Sequence, residues 1–133
     1  MVSHRKAGNL FEREFCRLLA DKGFWAHNLA QNSAGQPFDI LAARNGKCYA
    51  IDCKVCEHDI FKLSRIEENQ ALAMTLWRKT GNGEGWFALQ MSDKSIVMFS
   101  FQALEDLAVS HAILGWGDMV FYGTSFNEWA EFV

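Results

Sequence analysis

Residues 38–55 read FDILAARNGKCYAIDCKV, and the other predicted elements are arranged around them. Two strand-like runs, Phe38 to Arg44 and Lys47 to Val55, are separated by Asn45-Gly46, a dipeptide typical of a two-residue hairpin turn. Both central residues of such a turn need a positive φ, which Asn and Gly tolerate best. The pattern predicts an antiparallel ribbon at the centre of a sheet.

A two-residue turn fixes which residues of the ribbon face each other. It pairs Arg44 with Lys47. Further along, it pairs Asp39 with Asp52. Opposed side chains have Cβ atoms roughly 5 Å apart, so two aspartates repel there unless a cation or a proton lies between them. Period-two alternation puts Lys54 on the face of Asp52 and an apolar set on the other face: Phe38, Ile40, Tyr49, Ile51 and Val55. The alternative is a solvated edge ribbon in which Lys54 pairs with one aspartate.

Helical periodicity predicts a first helix from about Ala7 to Lys22, with Gly23 as its C-terminal stop. On the helical wheel, Glu12 lies inside the apolar arc, whereas the other charged residues of this helix lie opposite. We therefore expect Glu12 to point inward. Without the acids of the ribbon, a glutamate at the edge of an apolar stripe would be the simpler interpretation.

A second helix is predicted from Ser64 to about Lys79. Ser64 and Glu67 have the spacing of a capping box, and Gly81 can end the helix. Gln70 lies in the middle of its apolar arc. A buried amide needs hydrogen-bond partners, which either the acids of the ribbon or an ordinary core contact could provide.

The remaining patterns predict a short strand over 24–27, strands over 85–91 and 95–101, and a short helix over 102–110. This order is typical of an α/β fold in which a central mixed sheet is flanked by helices. With 133 residues, 50% of them hydrophobic, we expect a single domain over 1–133.

The net charge of −3 at pH 7 argues mildly against nucleic acid as a partner. The charge is unevenly spread, however, because residues 1–66 carry ten Lys or Arg against seven Asp or Glu, and residues 67–133 carry three against nine. The N-terminal half is therefore expected to meet an anion. The absence of an export signal or a long apolar run, and cysteines without a disulfide-type spacing, predict a cytoplasmic protein with free thiols and no membrane contact.

Five short motifs occur in order along residues 5–81: Phe11-Glu12-Arg13, Asp39-Ile40-Leu41-Ala42, Asn45-Gly46, Ile51-Asp52-Cys53-Lys54 and Asn69-Gln70. The set resembles the PD-(D/E)xK nucleases and, within them, the Holliday-junction resolvases of the Hjc and RecU types. The resemblance implies a restriction-endonuclease-like core. It also implies a Mg²⁺-dependent (or Mn²⁺-dependent) endodeoxyribonuclease that resolves four-way DNA junctions.

By the same resemblance, Asp39 and Asp52 are metal ligands, and Glu12 is a further ligand, direct or through water. Lys54 stands beside the attacked phosphate, where it could orient the nucleophilic water or stabilise the transition state. Gln70 supports the site. Hard carboxylate oxygens suit Mg²⁺ or Mn²⁺. The chain departs from the motif twice, since one residue separates Pro37 from Asp39 and the second acid is Asp rather than the commoner Glu.

Basic side chains expected to contact DNA phosphates lie in the N-terminal half: Arg5, Lys6, Arg13, Arg17, Lys62 and Arg65. The polar loop 31–36 precedes Asp39. In the resembled resolvases such a loop contributes a hydroxyl near the scissile phosphate, and Ser33 is the candidate here. Solvated surface charges and an ordinary solvated loop are the simpler alternatives.

Other functions fit parts of the sequence. Cys53, Cys56 and His58 have spacings that a zinc site could use, but alternation sends Cys48 and Cys53 to opposite faces of the strand. A general or restriction-like nuclease of the same fold, or a catalytically silent DNA-binding domain, would keep the same core.

A symmetric homodimer is expected, because resolving a junction needs two paired incisions and each chain carries one predicted site. Part of the aromatic tail could form the interface: Trp116, Phe121, Tyr122, Phe126, Trp129 and Phe132. The alternative is that the tail folds back onto its own sheet.

Overall fold

A computed structural model describes residues 4–29 and 37–133. The first helix, α1, spans His4–Asp21. Gly23 follows its C-terminal end with a φ of +88°, which is easily adopted only by glycine. The prediction of this helix is confirmed, with an earlier start. Ser33 and the loop 31–36 lie outside the described residues.

The predicted ribbon forms as expected. Strand β2 (Ile40–Arg44) pairs antiparallel with β3 (Lys47–Val55), from Arg44 opposite Lys47 to Ile40 opposite Ile51. The turn residues Asn45 and Gly46 have φ values of +54° and +79°, as a two-residue hairpin requires. The register that places Asp39 beyond Ile40 and next to Asp52 is therefore confirmed.

The ribbon lies within a six-stranded mixed sheet with the strand order β1-β2-β3-β5-β6-β8. Only β3 and β5 run parallel within it, and the other neighbours are antiparallel. The other strands of this sheet are β1 (Trp25–Asn28), β5 (Trp86–Gln90), β6 (Ile96–Ser100) and β8 (Thr124–Ser125). Two further strands, β4 (Phe61–Lys62) and β7 (Ile113–Leu114), form a small separate sheet.

Helices cover both faces of the large sheet, because its central strands carry apolar side chains on both sides. One hydrophobic cluster joins α1 and α5 (Phe126–Phe132) to the sheet. The other joins α2 (Glu68–Trp77), α3 (Phe101–Ala108) and α4 (Trp116–Tyr122) to the opposite face. The expectation of an α/β fold with a central mixed sheet flanked by helices is confirmed.

The predicted start of the second helix is wrong. Ser64 lies in a 3₁₀ turn, Leu63–Arg65, and α2 begins only at Glu68. The backbone N–H of Glu67 donates to Oε1 of Gln70 at 3.2 Å, so the capping interaction starts three residues later than the sequence suggested. A π-helical turn, Arg78–Asn82, follows α2, and Gly81 there has a φ of +87°.

Phe38 is also not where strand alternation placed it. It packs against Trp77 at the end of α2, with ring centroids 5.8 Å apart, rather than on the face covered by α1. The reason is that β2 begins at Ile40, so the alternation does not extend back to Phe38.

The aromatic tail divides between core and surface. Trp129 of α5 is fully buried and contacts four other rings, namely Phe24, Tyr49, Trp86 and Phe126. On α4, by contrast, Trp116, Phe121 and Tyr122 are exposed, as is Phe132 near the end of α5. None of the helices among the described residues is both long and apolar enough to cross a membrane.

Gly123, at the end of α4, permits the closest approach between this helix and the sheet. A Cβ atom built there would lie 2.7 Å from the backbone oxygen of Met119 and would overlap side chains of β6. We expect Gly123→Ala to lower the free energy of unfolding by about 1–3 kcal/mol, through overpacking. Gly117→Ala is the control, because a Cβ at Gly117 meets nothing within 4 Å. Equal urea denaturation midpoints for the two variants would contradict this packing.

Candidate active site

The predicted acids meet where β2 and β3 separate. Asp39 directly precedes β2, and its N–H donates to the carbonyl of Ile51 at 3.1 Å. Beyond this point β3 no longer pairs with β2 but still pairs with β5, and it carries Asp52 and Lys54 there. Asp39 is 8% exposed and Asp52 is 1% exposed, so both carboxyl groups are withdrawn from water. A solvated edge ribbon is therefore ruled out.

The side chain of Asp39 takes the place of a missing strand partner. Its Oδ2 accepts a hydrogen bond of 2.7 Å from the backbone N–H of Cys53. A carboxylate is a strong acceptor for a buried amide, which fixes the Asp39 side chain beside β3. This contact could not be predicted from sequence patterns, because it depends on how the two strands diverge.

Lys54 and Gln70 hold Asp52 from the side of α2. The Lys54 ammonium lies 3.1 Å from Oδ2 of Asp52 and donates to Oε1 of Gln70 at 3.1 Å. Nε2 of Gln70 donates to Oδ1 of Asp52 at 3.2 Å. Gln70 therefore contacts the acid and the amine at once, and its expected role as a supporting amide agrees with these contacts.

Glu12 approaches from α1, on the other face of the sheet. It is 7% exposed, so its predicted inward direction is confirmed. Burial raises the pKa of Glu12 from 4.5 to about 7, the charge of Asp39 adds to this effect, and Lys54 opposes it. Glu12 is thus within electrostatic range of both residues.

Asp52 is the most perturbed of the acids. Burial raises its pKa well above the ordinary value, the charge and close carboxyl contact of Asp39 raise it further, and Lys54 opposes the rise. Two buried carboxyl groups in contact cannot both stay ionised without a compensating positive charge. Lys54 supplies only one such charge for three acids.

The residues present fit a divalent cation. Three carboxylates and one ammonium leave a charge of about −2 when all are ionised, and carboxylate oxygens are the donors that Mg²⁺ and Mn²⁺ prefer. Oδ2 of Asp52 is buried, and the Lys54 ammonium lies 3.1 Å from it without a well-directed hydrogen bond. Within residues 4–29 and 37–133, however, no three His, Cys, Asp or Glu side chains are arranged as a ready metal-binding group. Asp39 and Asp52 are in contact, and Glu12 stands farther off.

The zinc alternative has little support in the geometry. Cys53 and Cys56 are both buried, but they belong to the hydrophobic clusters on opposite faces of the sheet. His58, the third residue of that sequence pattern, is exposed. These three side chains therefore do not surround a common point.

The basic candidates have different surroundings. Arg5, Lys6, Arg13 and Lys62 are exposed. Arg17 is exposed too, but it is paired with Glu14 and Asp21 of its own helix, which neutralise its charge. Arg65 donates to the carbonyl of Val55 at 2.9 Å, which keeps its guanidinium near the strand that carries Lys54.

The raised pKa of Glu12 makes the stability of the metal-free protein depend on pH. The folded state holds this proton more tightly than the unfolded state, so the stabilisation is complete below pH 4.5 and is lost as the pH rises through about 7. A glutamine at this position does not titrate. Between acidic and neutral pH, we therefore expect the free energy of unfolding to fall by about 2 kcal/mol less in Glu12→Gln than in the wild type. Urea unfolding in EDTA at acidic and at neutral pH measures the difference.

Glu14→Gln is the matched control for that experiment, since Glu14 is the exposed neighbour of Glu12 on the same helix. Bonding to Arg17 lowers the pKa of Glu14 instead of raising it. The control should therefore keep the pH dependence of the wild type. The same pH slope in both variants would mean that Glu12 is not held in a dry, negatively charged site.

Comparisons with known proteins agree with this geometry. Residues 3–113 match the Hjc family, described as archaeal Holliday junction resolvase. No curated protein sequence matches the chain. Among solved structures, the Hjc Holliday junction resolvase of Archaeoglobus fulgidus, from an archaeal hyperthermophile, superposes with a TM-score of 0.72, covering 92% of this chain and 99% of that one at 23% identity. The fold is thus restriction-endonuclease-like, and the chain belongs to the Hjc family of archaeal Holliday junction resolvases.

Proposed function

We propose that this protein cuts four-way DNA junctions with a divalent cation, Mg²⁺ or Mn²⁺, held by Asp39 and Asp52 and assisted by Glu12. Family membership gives the coarser statement, a structure-selective junction-resolving endonuclease. The more specific proposal of a divalent cation at these residues rests on the buried contact between two carboxyl groups beside a single lysine. The site would then be of the PD-(D/E)xK type.

Asp39 and Asp52 have distinct roles in this proposal. Asp39 is kept rigid by the amide of Cys53, so it can act as a fixed ligand. Asp52 offers a buried oxygen that the Lys54 ammonium faces without a well-directed hydrogen bond. A divalent cation bound there would supply an activated water and neutralise charge that develops on the phosphodiester.

Lys54 is the group proposed to face the scissile phosphate. Its side chain is 12% exposed, which leaves the ammonium reachable from solvent while Asp52 and Gln70 fix its position. In that place it can donate to a phosphate oxygen or orient the attacking water. Gln70 acts as a positioning residue, because it holds both the acid and the amine.

DNA is proposed to approach across the end of β3. The exposed residues Arg5, Lys6, Arg13 and Lys62, together with Arg65, would meet phosphates there. Arg17 is the weakest of the basic residues expected from the sequence to contact DNA, since its guanidinium is already paired with two acids. Ser33, outside the described residues, stays a prediction.

We expect Asp39→Ala, Asp52→Ala and Lys54→Ala each to abolish cleavage of a labelled four-way junction while binding in EDTA is largely retained. Lys47→Ala is the matched control, because Lys47 is an exposed lysine at the far end of the same strand. Glu12→Gln should reduce turnover far more than Glu14→Gln. Full activity in EDTA, or in the Asp52→Ala protein, would refute the proposed site.

A binding measurement separates an active metal site from a catalytically silent domain of the same fold. Mg²⁺ should raise the melting temperature of the wild type, since a ligand that binds only the folded state stabilises it. Asp52→Asn should remove this rise. The variant should also melt higher than the wild type in EDTA at neutral pH, because an amide at this position does not repel the Asp39 carboxylate. An identical Mg²⁺ response in both proteins would support the silent domain.

We further propose that the protein works as a symmetric homodimer, which would supply the two incisions that resolve a junction. Among the large apolar side chains exposed in the described chain, two patches lie on helices. One lies on α2, with Leu72 at 60% and Leu76 at 54% exposure, and the other on α4, with Val120 at 57% and Phe121 at 79%. A second copy of the chain is expected to cover one of them.

Sedimentation at micromolar concentration tests the dimer, and two double variants identify its surface. Leu72→Ser with Leu76→Ser disturbs the α2 patch, and Val120→Ser with Phe121→Ser disturbs the α4 patch. We expect one pair to yield monomers that no longer make paired incisions, and the other to leave dimers. A monomeric wild type that cuts linear duplex as readily as junctions would indicate a general nuclease of the same fold.

A further inference from the structure

Strand β1, at one edge of the large sheet, presents two aromatic rings to solvent. Trp25 is 61% exposed and His27 is exposed beside it. Their rings stack, with centroids 6.0 Å apart and planes inclined by 18°. A tryptophan ring left in water forgoes the hydrophobic stabilisation that burial would give, so this placement calls for a partner that the described chain does not provide.

The two rings lie on the face of the sheet that carries the candidate active site. Ala26, between them, packs into the cluster around α1, so Trp25 and His27 point to the opposite face. That is the face of Asp52 and Lys54, whose side chains meet Gln70 of α2.

The strand register gives the distance from the rings to the acids. His27 is paired with Leu41, two residues along the chain from Asp39, and Trp25 is paired with Ala43. At about 3.3 Å per residue along a strand and 4.8 Å between strands, His27 lies roughly 8 Å from Asp39 and Trp25 roughly 14 Å. The rings therefore lie on the face of the site, within reach of the same DNA strand.

Helix α2 leaves this part of the face open. Its buried residue Met74 belongs to the cluster that covers Ala50, Phe87 and Leu89, on the central strands. Leu41 and Ala43 of β2, next to the two rings, are only partly buried. A flat molecule can therefore reach the two rings over Leu41 and Ala43, on the face where Lys54 is partly exposed.

We propose that Trp25 and His27 form a stacking platform for an unpaired DNA base close to the scissile phosphate. The proposal rests on the proposed function, since it needs DNA on this face. A nucleobase is flat and apolar on its faces, and stacking on an exposed aromatic ring is the common way in which proteins hold bases outside a duplex. Bases within an intact duplex are not available for this contact, so the platform favours DNA whose bases are unstacked, such as the branch point of a junction.

The test uses the full-length protein in EDTA, which prevents cutting, with a four-way junction that carries 2-aminopurine at successive positions around the cleavage site. In the wild type, stacking on Trp25 should quench one position. Trp25→Ala should abolish that quenching and raise the Kd for the junction about tenfold, the loss expected for one stacked base. Trp25→Phe keeps an aromatic face and should bind nearly as the wild type.

Val109→Ala is the control, because Val109 is an apolar side chain that is 89% exposed but lies at the C-terminal end of α3, which packs against β6. It should leave quenching and Kd unchanged. Wild-type protein that cuts junctions while Trp25→Ala binds them equally well would overturn the platform and leave the nuclease intact. A Trp25→Ala protein that changes its sedimentation but not its junction binding would overturn it too, in favour of a protein contact. Wild-type protein that neither binds nor cuts junctions would refute the proposed function itself.

Discussion

The repulsion between Asp39 and Asp52 is the constraint that the surrounding structure has to accommodate. The register of the ribbon brings the two carboxyl groups together, and the cores on both faces keep water away from them. Each acid then receives its own donors, the Cys53 amide for Asp39 and the pair of Lys54 and Gln70 for Asp52. Those donors reduce the cost of the buried charges without cancelling it, so the hydrophobic core of the sheet must offset the remainder.

The ribbon and its acids could be predicted because their causes are local. Turn chemistry and strand alternation act between near neighbours, and the direction of Glu12 follows from helical periodicity. The start of α2 could not be predicted in this way. The spacing from Ser64 to Glu67 is that of a capping box, but contacts of Gln70 with a distant strand favour the later start. The predicted position of Phe38 was wrong for a similar reason, because its actual position depends on Trp77, far along the chain.

The segment after the family match contributes to the same core. The match ends at residue 113, yet Trp129 is fully buried against rings from β3 and β5. Arg44, at the turn of the ribbon, donates to the carbonyls of Ala130 and Val133 and stacks on Phe24. The sequence could show that this tail was aromatic, but not which rings would be buried, because that depends on the space left beside α1.

Gln70 illustrates how the site restricts the evolution of the chain. Its oxygen accepts from the N–H of Glu67 and from Lys54, while its nitrogen donates to Asp52. An amide accepts through its oxygen and donates through its nitrogen without carrying a charge. Glutamate would keep the helix start but add a fourth acid, and arginine would lose the acceptor. Substitution at this position therefore has to be accompanied by changes at Lys54 or at the start of α2, so these positions should vary together among relatives.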